Sequence, residues 1–426
     1  MENKDMIDYM PREELIDLQN KKLREIIPYI AKVPFYKKKL SEEGISIEDI
    51  KEISDLQKIP FTTKEELRLS EPMERTSLNY DGIAFFFSSS GTTGDATIYP
   101  WSPQDDLVLR EASARCMKRI GVGPGDISLV LAPFGMSIMW YCMINQYLAT
   151  GAGVVPLGIT PPNEIIKSIN AFPITFITTL PIIGTRLFEF MEKNKIPFVK
   201  NRLRQFHFGG DYLSNARRSR IEKYWDLECF DFYGISEIFG PIAGECSERR
   251  GLHCACDYIL VEVINPETKK SVSEEEVGVA VYTTLWEKGA PLLRYWSGDF
   301  ITLTWEKCKC GRTSPRITYK GRLDAGNGIK MNDKIIFAKD LEDILLSFPE
   351  VSDEWAMKIE GTLENPIAKI FIERVPGQRI PDERIREEIT NLVNIPVGIE
   401  VVPPGFFPRD DVKPKRIVDS RIMTQK

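Results

Sequence analysis

The sequence predicts an α/β protein with a large N-terminal domain of helix-covered β-sheets and a small C-terminal α+β domain, and three observations predict it. Between about residues 83 and 300, short apolar runs alternate with stretches of helical periodicity, the pattern of strands covered by helices. A cluster of Gly, Asn and Asp in RITYKGRLDAGNGIK (316–330) breaks that alternation and reads as a boundary. The residues beyond it follow another order: helix, strand, strand, helix, strand. A length of 426 residues suffices for two or three folding units, and the division falls after residue 321, giving domains 1–321 and 322–426.

Taken in order, residues 12–40 place Leu15, Leu18, Leu23, Ile26, Ile27 and Ile30 at helical spacing among charges, so they read as amphipathic helices. Strands follow in IAFFF, ISLVLA, GVVPLG, FITTL, FHFGG, FDFYG, ILVEVI and VAVYTTL. From Ile127 to Asn163 no residue is charged, a run long enough to span a bilayer. Pro133, Gly135, Asn145, Gln146, Gly151, Gly153 and Pro156 punctuate it, and no basic cluster flanks it. It therefore reads as a buried strand, a helix from about Met136 to Thr150, and a second strand. The last module comprises helix AKDLEDILLSF, strands EWAMKIEG and IAKIFIERV, helix DERIREEITNLV and strand IEVVPP.

Charge narrows the function classes. Lys and Arg total 56 against 62 Asp and Glu, a net −6 with both signs dispersed, so no basic arm points to nucleic acid. The first residues, MENKDMIDYMPREELIDL, lack the layout of a signal peptide, and eight cysteines are too few for a disulfide scaffold. A reducing, cytoplasmic setting is expected. Cys116, Cys142 and Cys229 stand alone in apolar or helical surroundings and read as inert buried thiols. With two histidines, His207 and His253, no Ser/His/Asp triad can be assembled, which argues against a hydrolase. His207 reads as a packed strand residue.

Chemistry is carried first by the loop Ser88, Ser89, Ser90, Gly91, Thr92, Thr93, Gly94, set between two β-rich runs. A Ser/Gly turn is one reading. The other is a phosphate cradle, in which small residues let successive N–H groups and hydroxyls converge on an anion. It is not a Walker A loop, because no Gly-Lys-Ser/Thr follows and it joins strand to strand. A second concentration lies in Cys246-x6-His253 and Cys308-x-Cys310, both in Gly- and charge-rich loops. Three thiolates and an imidazole form a structural Zn²⁺ set that would clip the two loops together. Cys254 and Cys256 leave open which residue completes it, since either could replace His253.

The loop, with FDFYGISEIFG (230–240), LLRYWSGDFITL (292–303), YKGRLD (319–324) and PRDDVKPKR (408–416), resembles the acyl-adenylate-forming superfamily, the motifs standing in that family's order. Short length, Thr97 where most relatives carry lysine, and the CxCGRT segment from Cys308 make the phenylacetate-CoA ligase family the nearest resemblance; that family has similarly placed Cys and His residues. The resemblance implies an ATP-dependent ligase that makes an acyl-adenylate and passes the acyl group to coenzyme A. It implies that residues 88–94 hold the β- and γ-phosphates, that Tyr233 with Gly234 stacks on adenine, and that Ser236 reaches the α-phosphate. Glu237 would bind Mg²⁺, and Gly209, Gly210 and Asp211 would lie beside adenine and the acyl pocket. Asp299 and Arg322 would meet the ribose, Asp324 would be the hinge, and Lys413, paired with Arg416, would be the adenylation lysine, with Lys415 as its rival.

An acyl pocket is expected from Phe134, Met136, Met139, Trp140, Tyr141 and Ile235, an apolar and aromatic wall suited to an aryl or hydrophobic acid. The chain departs from the family after GRLD, reading AGNGIKMNDKIIF, with Met331-Asn332-Asp333 where a small glycine segment stands in relatives and approaches the pantetheine arm. The acceptor could therefore be a carrier-protein thiol, an amine or a hydroxyl instead of CoA. A ligand-binding homologue without turnover is a further alternative, opposed by retention of Glu237, Asp299, Arg322 and Lys413 together. The expected partners are a small carboxylic acid, ATP and CoA, with neither nucleic acid nor membrane; a homodimer is left open.

Overall fold

The N-terminal segment folds as its apolar spacing requires: helix Arg12–Ile30 buries Leu15, Leu23, Ile26, Ile27 and Ile30, and helix Pro34–Glu42 buries Tyr36 and Leu40. The computed structural model describes residues 5–89, 96–198, 200–331, 334–410 and 413–421. The chain divides into two units: Met1–Thr178 with Asn201–Leu203 and Phe230–Tyr319, and Thr179–Lys200 with Arg204–Cys229 and Lys320–Lys426. A cut at 321/322 would assign two of the second unit's segments to the first.

In the first unit, Ile127–Val130 lies between Phe176–Thr179 and Gly153–Pro156, all parallel. Such strands are covered on both faces, and Phe176–Thr179 is buried throughout. The helix expected between the first two runs is Ile138–Leu148. The uncharged stretch is thus α/β structure whose first strand is mostly buried and whose second, Gly153–Pro156, is half-buried to exposed, and among the described residues no helix is long and apolar enough to cross a membrane. A second run is ordered Ile259–Ile264, Gly278–Thr284, Tyr295–Thr304, Arg316–Arg322, Leu252–Cys254, Phe239–Gly244, Glu228–Ile235. Helix Pro103–Lys118 starts on a capping box: Ser102 Oγ accepts from the Asp105 amide, and Asp105 accepts from the Ser102 amide at 2.8 Å. Asp105 also accepts from Trp286 Nε1 and the Gly289 amide, tying the helix start to the segment before Tyr295. One core joins Leu15, Trp101, Tyr233, Ile238, Tyr282 and Tyr295, so functional side chains stand on packed strands.

The second unit holds strand Gln205–Gly209, helices Pro181–Lys193, Asn215–Trp225 and Ala338–Leu345, and a sheet ordered Val397–Val402, Pro366–Arg374, Val351–Gly361, Ile417–Asp419. The central pair is antiparallel and each outer strand joins it in parallel. The segment 316–330, where the two units meet in the chain at Tyr319/Lys320, is structured: it holds strand Arg316–Arg322, a turn, and the start of Gly328–Met331, which pairs with Lys334–Phe337. Inside this unit Glu342 is fully buried and accepts from Arg217 Nη2 at 2.7 Å, Arg217 Nε at 2.9 Å and Ser214 Oγ at 2.7 Å. Burial raises its pKa, but Arg217 outweighs that and holds it down at about 2.

His207 is fully buried on Gln205–Gly209 with Nε2 3.0 Å from Gln205 Oε1, a packed strand residue as expected. Burial lowers its pKa from 6.5 to about 3, so the folded chain keeps the ring neutral where the unfolded chain protonates it. The contribution is complete above pH 6.5 and is lost as pH falls from 6.5 towards 3. Unfolding free energy of the unmutated chain should fall more steeply on acidification than that of His207→Gln, by up to about 1.4 kcal/mol per pH unit in that window. Equal slopes in urea titrations would show that the ring is protonated in the fold.

Candidate active site

The loop expected to cradle phosphate is flanked by two paired strands. Phe85–Ser88 pairs antiparallel with Ile98–Trp101, Ser88 opposite Ile98. The Ser89 amide donates to Thr97 O at 2.9 Å and the Thr97 amide to Ser89 Oγ at 3.1 Å, so the base of the loop is registered. Ser90, Gly91, Thr92, Thr93 and Gly94 lie outside the described residues.

Glu228–Ile235 and Phe239–Gly244 form a hairpin whose turn is Ser236, Glu237 and Ile238. Gly234 is required there: a Cβ would come within 2.6 Å of Gly240 Cα. The turn seats Glu237 as a buried carboxylate that accepts from Tyr295 OH at 3.0 Å. Three residues before the turn, Tyr233 donates from its hydroxyl to Asp299 Oδ2 at 2.5 Å, and Tyr282 donates to Tyr233 at 3.0 Å. Asp299 is aimed by Gly298, whose φ of +78° breaks the strand register beside it. Burial, then the Asp299 charge, pushes the Tyr233 hydroxyl well above its usual pKa, so it stays a donor. Glu237, Tyr233 and Asp299 therefore belong to one unit, Tyr233 bonded to Asp299 and Glu237 to Tyr295. Their partners Tyr295 and Tyr282 had no distinguishing signal, each being one tyrosine in an apolar run.

Of the residues expected to line an acyl pocket, three form a partly open aromatic row. Phe134 and Met136 are 52% and 53% exposed, and Trp140, Tyr141 and Ile235 are half-buried. Phe134 and Trp140 have ring centres 5.5 Å apart, and Trp140 and Tyr141 5.7 Å. The row carries two polar anchors, Tyr141 OH donating to Asp106 Oδ1 at 2.7 Å and Trp140 Nε1 donating to Gly135 O at 2.8 Å.

The second unit holds the remaining predicted residues. Gly209 ends its strand, and Gly210 takes φ +83°, a left-handed turn that glycine adopts without strain and that presents Asp211. Asp211 Oδ1 accepts from the Tyr212 amide at 2.9 Å. Asp211 lines a small cleft, with room for about one water molecule, together with Tyr212, Arg217, Glu342, Pro414 and Arg416. Lys413, next to Pro414, is depressed by burial and partly restored by the Asp211 charge, whereas Lys415 is exposed. Arg416 is buried and fixes this end of the chain by donating to Glu354, Trp355 O and Asp353 O. Arg322 forks onto Asp324 at 2.9 and 3.0 Å, so the predicted ribose contact and hinge residue meet each other across a turn.

Back in the first unit, Cys246, His253, Cys308 and Cys310 gather so that their ligand atoms lie within 4.8 Å of one another. Cys246 Sγ and Cys308 Sγ are 3.8 Å apart, and Cys310 Sγ is 3.5 Å from His253 Nε2. With bonds of about 2.3 Å to sulfur and 2.0 Å to nitrogen, the edges of a zinc tetrahedron are about 3.8 and 3.5 Å. The set fits Zn²⁺. Leu252–Cys254 is a strand, so His253 and Cys254 point to opposite faces, and Cys254 and Cys256 pack into the core instead. His253 Nδ1 lies 2.9 Å from Ser314 Oγ and 3.2 Å from Ser314 O, which presents Nε2 to the thiols. Burial drives that ring's pKa down to about 3 and the Cys246 thiol up to about 12. Arg119 supports the strand by donating to His253 O at 3.0 Å while forking onto Asp8. Asp8 and Arg119 lie 111 residues apart, and no local spacing announced them.

Comparison with known proteins agrees with this arrangement. Residues 19–284 match the AMP-binding enzyme family and 334–421 the AMP-binding enzyme C-terminal domain. A phenylacetate-coenzyme A ligase of Thermus thermophilus is 30% identical over 97% of this chain and 98% of its own. One from Escherichia coli is 26% identical over 98% of this chain and 97% of its own. A solved 2-hydroxyisobutyryl-CoA ligase in the postadenylation state, 21% identical, superposes with a TM-score of 0.88 over 97% of this chain and 91% of its own, sharing the fold. The chain belongs to the AMP-binding enzymes and, within them, to the phenylacetate-CoA ligase family of AMP-forming acid–CoA ligases.

Proposed function

We propose that this chain activates an aromatic or hydrophobic carboxylic acid. The carboxylate oxygen attacks the α-phosphorus of ATP, giving R–CO–AMP and pyrophosphate. The CoA thiol then loses its proton and displaces AMP, giving R–CO–S–CoA. The observation that supports this reading is that Tyr233 and Asp299 on strands and Glu237 in the adjoining turn are all buried, Tyr233 bonded to Asp299 and Glu237 to Tyr295. Tyr233 would bind adenine, Asp299 would accept from the ribose hydroxyls, and Ser236 would reach the α-phosphate. Lys413 would neutralise charge on the acid oxygen and α-phosphate in the transition state. Glu237 would hold Mg²⁺, which needs one or two carboxylates besides phosphate oxygens and supplies charge neutralisation there. Cys246, His253, Cys308 and Cys310 would hold a structural Zn²⁺. ATP and CoA are cytoplasmic substrates, which suits the reduced thiols.

The aromatic row of Phe134, Trp140 and Tyr141 favours an aryl acid, as do the names of the relatives. ATP–pyrophosphate exchange over aryl, alicyclic and fatty acids tests this choice. Exchange with arylacetic acids at the lowest KM is expected; exchange only with long aliphatic acids would overturn it.

We assign residues 322–426 as the domain that reorients between the two half-reactions, with Asp324 as hinge. A hinge absorbs a large backbone rotation, which proline forbids by fixing φ near about −65°. Asp324→Pro should retain pyrophosphate exchange and lose thioester formation. Equal losses in both steps on one preparation would reject the hinge.

A further inference from the structure

Strand Gly278–Thr284 holds Asp299 both by its backbone and by its side chain. On the backbone, the Asp299 amide donates to Ser297 Oγ at 3.1 Å, and Ser297 Oγ donates to Ala280 O at 2.7 Å. These bonds lie where the register between Gly278–Thr284 and Tyr295–Thr304 shifts, beside Gly298, so they fix Asp299 where the ladder itself is irregular. On the side chain, the buried Tyr282 donates its hydroxyl to Tyr233 OH at 3.0 Å, and Tyr233 donates to Asp299 Oδ2 at 2.5 Å. The Tyr233 ring also packs on Tyr319, with centres 5.6 Å apart and planes tilted by 33°.

This relay runs one way. A carboxylate only accepts, so Tyr233 gives its proton to Asp299, and its oxygen accepts from Tyr282 in turn. Burial, then the Asp299 charge, holds both hydroxyls well above their usual pKa, so neither proton is lost. A phenol O–H prefers the plane of its ring, where it has two positions. With Tyr282 donating to the oxygen, the position left for the Tyr233 proton is the one facing Asp299. We propose that Tyr282 is a positioning residue for the nucleotide and sharpens its preference for ribose: its hydroxyl directs the Tyr233 proton onto Asp299 Oδ2 and so fixes the carboxylate that receives the ribose hydroxyls. The proposal rests on the acid–CoA ligase reading above and adds to it a residue acting through Tyr233 and Asp299. In the competing account a buried phenol needs an acceptor, and Tyr233 merely supplies one.

Tyr282→Phe keeps the ring and removes the hydroxyl. Pyrophosphate exchange with an arylacetic acid is measured with ATP and with 2′,3′-dideoxy-ATP, which offers Asp299 no ribose hydroxyl. The expected result is a ~5-fold rise in KM for ATP, with kcat and the KM for the acid within about twofold of the unmutated chain. The KM for 2′,3′-dideoxy-ATP should change less than about twofold, because the contact that Tyr282 serves is already missing. In a Tyr233→Phe background, Tyr282→Phe should change the KM for ATP less than about twofold, since the hydroxyl it acts on is gone. Equal rises for the two nucleotides, or a full effect without the Tyr233 hydroxyl, would overturn the proposal and leave Tyr282 a packing residue. So would an unchanged KM for ATP in an active Tyr282→Phe. An unmutated chain that uses both nucleotides equally would remove the ribose role of Asp299 and the proposal with it. An unmutated chain that exchanges with no acid would instead overturn the functional reading beneath it.

Discussion

Lys413→Ala is expected to lower acid-dependent ATP–pyrophosphate exchange by ~10²–10³-fold while ATP still binds, the loss typical of removing one preorganised charge from a transition state. Two negatively charged reactants must meet at the α-phosphorus, and a desolvated ammonium counters that charge more strongly than one in water. Lys413 has this environment: burial depresses it and the Asp211 charge opposes the depression. Lys415, two residues on, is exposed and screened by solvent, so Lys415→Ala should stay within about twofold of the unmutated rate. Loss in Lys415→Ala with a normal Lys413→Ala would transfer the role.

The metal site carries the second large effect. Purified protein should contain about one zinc per chain, and Cys308→Ser should lower stability to denaturant by several kcal/mol. Metal binding adds to folding free energy because the unfolded chain lacks the assembled site. The intrinsic rate of the folded fraction should change little, since Cys246 and Cys308 clip loops and are no part of the nucleotide set. Cys256→Ser is the control: it is equally buried and lies outside the gathered ligands, so it should cost about 1–2 kcal/mol for a hydroxyl placed in an apolar core. Zinc-free protein purified without chelator, with Cys308→Ser no worse than Cys256→Ser, would remove the site.

How much of this was readable beforehand follows from the length scale of each signal. Phe176–Thr179 and Gln205–Gly209 were legible because short runs rich in Phe, Ile and Thr between helical stretches mark strands. Leu252–Cys254 and Ile417–Asp419 were not: three residues are too short for a period, and each strand exists through its neighbours. Glu237, Asp299 and Lys413 stood out through motif order. Tyr295, which orients Glu237, and Asp8, which braces Arg119 behind His253, act across long stretches of chain and leave no local spacing. The choice of His253 over Cys254 needed the strand itself, because adjacent strand residues face opposite ways.

The central claim, an AMP-forming acid–CoA ligase, is tested most directly by counting products. Unmutated protein with ATP, Mg²⁺, CoA and an arylacetic acid should release AMP and acyl-CoA in equal amounts, with no ADP. AMP release without a CoA thioester would place the acyl group on another acceptor. ADP, or no acid-dependent nucleotide cleavage at all, would contradict the account.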